Sequence, residues 1–172
     1  MPVRYVAQKG YKDFYDMHSY RFHECSFALG GAKNTDNFVY VYKKYGEWMT
    51  DKQIAYGFYF IAHMKLEKTP EFWSVIVPMV KKQLATLDRN CTKSLMKFIQ
   101  AASEMNLQDN EFWSTVETKL VDEGLHRYLQ LDEISDVLGY LANVGRGSDE
   151  LLEIIEKTVI RHRKALTPQI IN

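Results

Sequence analysis

The residues able to do chemistry are few and scattered. His23-Glu24-Cys25 is the densest group of metal-binding types, with His18 five residues before His23 and the second cysteine, Cys91, far away in the sequence. Zinc sites need pairs such as Cys-x-x-Cys or His-x-x-x-His, and neither spacing occurs. These residues therefore read as a buried cysteine and a surface histidine, with no metal or other cofactor. Two cysteines also make no disulfide framework and suit a reducing compartment. Nucleophilic catalysis has no signature either. There is no Gly-x-Ser-x-Gly elbow, and the acid pairs Asp122-Glu123 and Asp132-Glu133 fall where helices should end or begin. Gly30-Gly31 and Gly145-Arg146-Gly147 are isolated turns, since no Lys-Ser/Thr helix follows them as in a phosphate cradle. The expectation is a chain that is not an enzyme.

Charge is the next possible source of function. Lys+Arg and Asp+Glu are 22 each, so the formal net charge is zero. A neutral chain has no strong overall attraction for nucleic acid or anionic membrane. Locally the balance shifts. Lys81, Lys82, Arg89, Lys93 and Lys97 stand against Asp88 alone over 81–97, whereas 104–136 is rich in acids. One reading is a set of ordinary solvated helix faces. A second is a dipolar surface that docks in one orientation on a partner. A third is a basic stripe for RNA, for which the five basic residues are the candidate contacts.

The elements that would position these groups are helices. Apolar residues recur three and four apart in Ile54, Phe58, Ile61, in Phe72, Ile76, Met79, Val80, and in Leu95, Phe98, Ile99, Ala102. Start signals are clear: Thr50-Asp51-Lys52-Gln53 has capping-box spacing, Thr69-Pro70-Glu71 places proline at the first helical position, and Asp109 and Ser148 precede acids. Helices are predicted near 37–46, 51–66, 70–86, 92–106, 110–126, 132–144 and 149–164. Residues 1–36 differ. They carry Tyr5, Tyr11, Phe14, Tyr15 and Tyr20 and end in a turn-rich stretch, which reads as an irregular arm with a short helix near 11–22.

An internal repeat organises the rest. Glu71-Phe72-Trp73-Ser74 recurs as Glu111-Phe112-Trp113-Ser114. At a shift of 39, Leu95, Phe98, Ile99, Ala102 and Met105 fall on Ile134, Val137, Leu138, Leu141 and Val144, and Phe112-Trp113 falls on Leu151-Leu152. A period of this size with two helices per unit marks an α-solenoid, because one hairpin cannot bury both its apolar faces and the next one covers what is left. The expected fold is all-α: a short α-solenoid of about three to four hairpins. The arm would span 1–36, the repeat domain 37–165 and an apolar tail 166–172. The two tryptophans should then fill equivalent interior niches.

The acid-Phe-Trp opening, the Leu84 and Leu87 stretch, and a second helix of the type Leu95-x-x-Phe98-Ile99-x-Ala101-Ala102-x-x-Met105 resemble the octotricopeptide and FAST-kinase-like repeats of organellar proteins. The resemblance covers roughly residues 50–160. It implies paired helices and a mitochondrial location, and either an RNA-binding or a scaffolding role. No nuclease-like domain of the kind seen in longer members is expected, and the family's RNA-reading positions have no match at a fixed place in each repeat.

No stretch is long and apolar enough to cross a bilayer, and the beginning of the sequence lacks the apolar core of a secretory signal. The expectation is a non-catalytic scaffold, an accessory subunit of a large mitochondrial assembly. A respiratory-chain complex or ATP synthase is the first expectation and a mitochondrial ribosome the next. Its partners would be other protein subunits, reached through Tyr5, Tyr11, Phe14, Tyr15, Tyr20, Ile170 and Ile171. The alternative is an RNA-binding factor in organellar RNA processing or translation.

Overall fold

Capping residues and apolar spacing set most of the helix starts. The structure, a computed structural model, describes residues 11–166, with side chains over 19–163. Its α-helices are α1 (Tyr11–Gly31), α2 (Thr35–Tyr45), α3 (Asp51–His63), α4 (Val77–Thr86), α5 (Thr92–Glu104), α6 (Asn110–Leu120), α7 (Leu131–Asn143) and α8 (Asp149–Leu166). No strand occurs among the described residues, and the fold is an all-α helical repeat. Thr50 opens α3 with a complete capping box to Gln53. Asp109 opens α6 by accepting from the Phe112 N–H at 2.9 Å.

Two expectations are corrected. The stretch from Tyr11 to Gly31 is a helix of 21 residues, so most of the expected irregular arm is regular. The predicted helix over 70–86 is not uniform, for Phe72–Ile76 forms a π turn before α4. Pro78 gives the reason. It cannot donate to the Ser74 carbonyl, and its ring crowds that oxygen, so the preceding turn widens. Thr118 stands at the matching place in α6, which stays α-helical.

Three hairpin turns repeat one geometry. Lys65, Asn106 and Gly145 sit just past α3, α5 and α7 with positive φ of 52°, 51° and 65°. Lys65 and Leu66 donate to Ala62 and Ile61, Asn106 and Leu107 to Ser103 and Ala102, and Gly145 and Arg146 to Ala142 and Leu141. This is the same pair of 5→2 and 6→1 bonds each time, the Schellman closure that satisfies the last carbonyls of a helix. A capping residue follows in each case: Thr69, Asp109 and Ser148 accept from the N–H of Phe72, Phe112 and Leu151. The side chains of Phe72, Phe112 and Leu151 are all buried.

The chain divides into two compact units, Met1–Val80 and Lys81–Asn172. The division falls inside the stretch expected to be one repeat domain. Within the first unit α1 packs on α2 and α3, and α2 packs on the Phe72–Ile76 turn. Phe58 stacks on Phe72 at 6.2 Å. The buried Tyr42 hydroxyl donates to the Ile54 carbonyl, tying α2 to α3. Gln53 donates to the Phe22 carbonyl and the Ser26 hydroxyl, tying α3 to α1. Within the second unit α5 packs on α7, and α7 on α8. Alternate helices thus lie side by side in each unit, as the repeat requires.

Candidate interaction surface

The possible metal group does not assemble. His23 is exposed and stands edge-on to Phe22, while Cys25 is buried with its thiol pushed up to about 11 by burial and then by the charge of Glu24. Glu24 turns to Lys44 at 3.3 Å. The Tyr45 hydroxyl, followed by Lys44, holds that carboxyl below its usual range despite some desolvation. Cys91 belongs to the other unit, and the side chain of His18 lies outside the described residues. No cluster of three metal-binding side chains exists among the described residues.

The two tryptophans part company. Each makes the same edge contact with its phenylalanine, at 5.0 Å for Phe72–Trp73 and 5.1 Å for Phe112–Trp113. Trp113 is 4% exposed and donates its indole N–H to the Leu107 carbonyl at 2.7 Å. Trp73 is 47% exposed. The equivalent niches expected from the repeat hold for the phenylalanines and fail for the tryptophans. The widened turn before Pro78 and the extra residue between Lys65 and Thr69 turn Trp73 away from the carbonyl it would need.

Among the predicted protein contacts, Tyr20 is 49% exposed on α1. Two helical turns on, the same face carries Phe27, 86% exposed, with His23 between them. The opposite face of α1 buries Cys25 and Leu29. Nearby on α2, Tyr40 is also exposed, with the Lys44 ammonium 5.8 Å from its ring centre. Arg21 lies over the Trp48 ring at 4.1 Å. Sequence reasoning missed Phe27, which the i, i+7 spacing from Tyr20 could have flagged. Tyr5, Ile170 and Ile171 lie outside the described residues, as do the side chains of Tyr11, Phe14 and Tyr15.

The expected basic stripe is interrupted. Lys81 reaches Asp109 at 3.1 Å and also pairs with Glu111. The Glu111 bond, outweighing desolvation, raises its affinity for its proton. Asp109 is pushed up by burial, but the Phe112 N–H and the Lys81 ammonium outweigh this and hold its carboxyl low. Lys82, Arg89, Lys93 and Lys97 are exposed. Lys93 and Lys97 point outward from α5, and Asp132 and Asp136 point outward from α7 at the same repeat positions. A phosphate approaching this face meets both signs.

Sequence reasoning also missed Lys119. Its side chain is buried, and its ammonium donates to the Leu87 carbonyl and to both Glu123 oxygens at 2.9 Å. Only the i, i+4 pairing with Glu123 was visible in the sequence. A cavity of about 340 Å³ lies among α6, the Gly145–Ser148 turn and α8, but its carboxylate Glu117 is engaged by the Ser148 hydroxyl. Among the described residues no helix is long and apolar enough to cross a membrane.

No known family model matches the chain, and no curated protein is significantly similar to it.

Proposed function

We propose that the chain is a non-catalytic helical-repeat scaffold, held by protein contacts as an accessory subunit of a large mitochondrial assembly. A respiratory-chain complex or ATP synthase is the first choice and a mitochondrial ribosome the next. The observation that carries the scaffold reading is the outward face of α1. Phe27 at 86% exposure and Tyr20 at 49% stand on one side of a helix whose other side is already buried. Large aromatics exposed together on a rigid helix are the kind of anchor that protein interfaces use. The mitochondrial assembly rests on the resemblance of the repeat to organellar proteins. The pairing of Lys81 and the aspartates beside Lys93 and Lys97 weigh against the RNA-binding alternative.

The test is a native gel of mitochondrial complexes from cells expressing the tagged chain, with and without ribonuclease. The wild type should migrate with a large assembly whether or not RNA is digested. The Tyr20→Ser/Phe27→Ser double variant should run free while keeping its helical circular dichroism. Undiminished incorporation of that variant would remove α1 from the interface, and loss of the assembly on ribonuclease treatment would favour RNA.

A further inference from the structure

The outer face of α5 and α7 has a charge pattern that is complementary to itself. The C-terminal ends of the two helices lie together: the Ser103 hydroxyl donates to the Tyr140 carbonyl at 3.0 Å, and Asn143 donates to the Ser103 carbonyl at 3.1 Å. The helices therefore run in the same direction, in the register fixed by the repeat, where Asn106 and Gly145 match. In that register Lys93 stands level with Asp132, Lys97 with Asp136, Gln100 with Gly139, and Glu104 with Asn143. Lys93, Lys97, Glu104, Asp132, Asp136, Gly139 and Asn143 are exposed. Among the described residues no side-chain hydrogen bond or ion pair engages Asp136 or Lys93, while Asp132 accepts from the Glu133 N–H at 3.0 Å. A basic row lies beside an acidic row, both on one rigid pair of helices.

We propose that this face binds a second copy of the chain through a twofold axis lying parallel to α5 and α7. Such an axis sets the lysine row of each copy over the aspartate row of the other at the same height. Lys93 then meets Asp132 of the other copy and Lys97 meets Asp136, each twice. At the remaining levels Glu104 meets Asn143 and Gln100 meets Gly139, so no like charges collide. An axis across the helices would set lysine on lysine at one height and Lys93 over Glu104 of the other copy at mid-helix, whereas the parallel axis alone pairs every lysine with an aspartate. Gly139 has open space where a side chain would stand, which leaves room for close approach along α7. The zero net charge of the chain removes any overall repulsion between copies. Exposed ion pairs are individually weak, so the association is concentration-dependent and sensitive to salt.

This inference is independent of the α1 face, and sedimentation equilibrium of the full chain tests it. At low salt the wild type should approach twice the chain mass of 20.2 kDa, and it should return to one chain at about 0.5 M salt, where screening acts within a few ångströms. Lys93→Asp/Lys97→Asp makes the face acidic, and Asp132→Lys/Asp136→Lys makes it basic. Each variant alone should be monomeric, an equimolar mixture of the two should form a heterodimer, and the fourfold swap should dimerise as the wild type does. The Tyr20→Ser/Phe27→Ser variant should also dimerise, so this result and the fate of the α1 face are read separately. A wild type that stays monomeric at low salt overturns the proposal. So does a charge variant that dimerises alone, or a mixture that does not associate.

Discussion

Tyr42 and Gly57 show how one missing side chain fixes a helix contact. The Tyr42 ring is fully buried, and its hydroxyl is bound to the Ile54 carbonyl. A Cβ built on Gly57 would lie 2.7 Å from the hydroxyl oxygen and 2.8 Å from Cε2. Glycine within a helix ordinarily costs about 1 kcal/mol relative to alanine. Here the tyrosine needs the space, and overpacking a buried ring costs about 1–3 kcal/mol. Gly57→Ala should therefore lower stability by up to about 2 kcal/mol despite its better helix propensity, read as a lower melting temperature. Tyr42→Phe removes the nearest atom, so the alanine should cost less in that background. A Gly57→Ala protein that melts higher than the wild type would refute this account of the contact. Burial also pushes the Tyr42 hydroxyl well above its usual range, which keeps it a donor to Ile54 at any ordinary pH.

The repeated hairpin turn carries the same argument to the scale of the element. Lys65, Asn106 and Gly145 occupy one structural position with φ near +50° to +65°. A side chain in that region is strained by about 1–2 kcal/mol, less for asparagine, and glycine escapes the strain at some entropic cost. Lys65→Gly should raise stability by about 0.5–1 kcal/mol, Asn106→Gly by less, and Gly145→Ala should lower it by about 1 kcal/mol. Chemical denaturation of the three variants checks the order, and a destabilised Lys65→Gly would contradict it. Much of this was legible beforehand. The caps at Thr50, Thr69, Asp109 and Ser148 and the 39-residue shift of apolar positions located the helices within a few residues. Two features were hidden. In the sequence of α1 the aromatics Tyr20, Phe22 and Phe27 do not fall on one helix face, so no apolar stripe showed its period. The motif Glu-Phe-Trp-Ser is identical in two repeats, and their outcomes are separated by Pro78, five residues after Trp73, and by the extra residue between Lys65 and Thr69, both outside the motif.

At the scale of the molecule, function follows from where charge and aromatic surface end up, and the sequence could show only part of that. It placed Tyr20 among the candidate contacts and the lysines together along the chain. It could not show that Asp109 and Glu111 come to Lys81, or that Asp132 and Asp136 stand level with Lys93 and Lys97, because those meetings depend on the packing of one repeat against the next. The distinction matters for RNA. A single strand loses affinity with salt in proportion to the cations that contact phosphate, with a logarithmic slope of about 0.7 per contact. Three lysines that each contacted a phosphate would give a slope of about 2 and lose roughly tenfold or more in affinity on charge reversal. With aspartates beside Lys93 and Lys97, the full chain should hold a single-stranded oligouridine only weakly at about 0.15 M salt, and Lys82→Glu/Lys93→Glu/Lys97→Glu should change that binding less than about twofold. Fluorescence anisotropy of the labelled oligonucleotide over a salt series measures both quantities. A steep slope together with a large loss in the triple variant would show that these lysines reach phosphate in spite of their acidic neighbours, and the RNA-binding reading would then displace the scaffold.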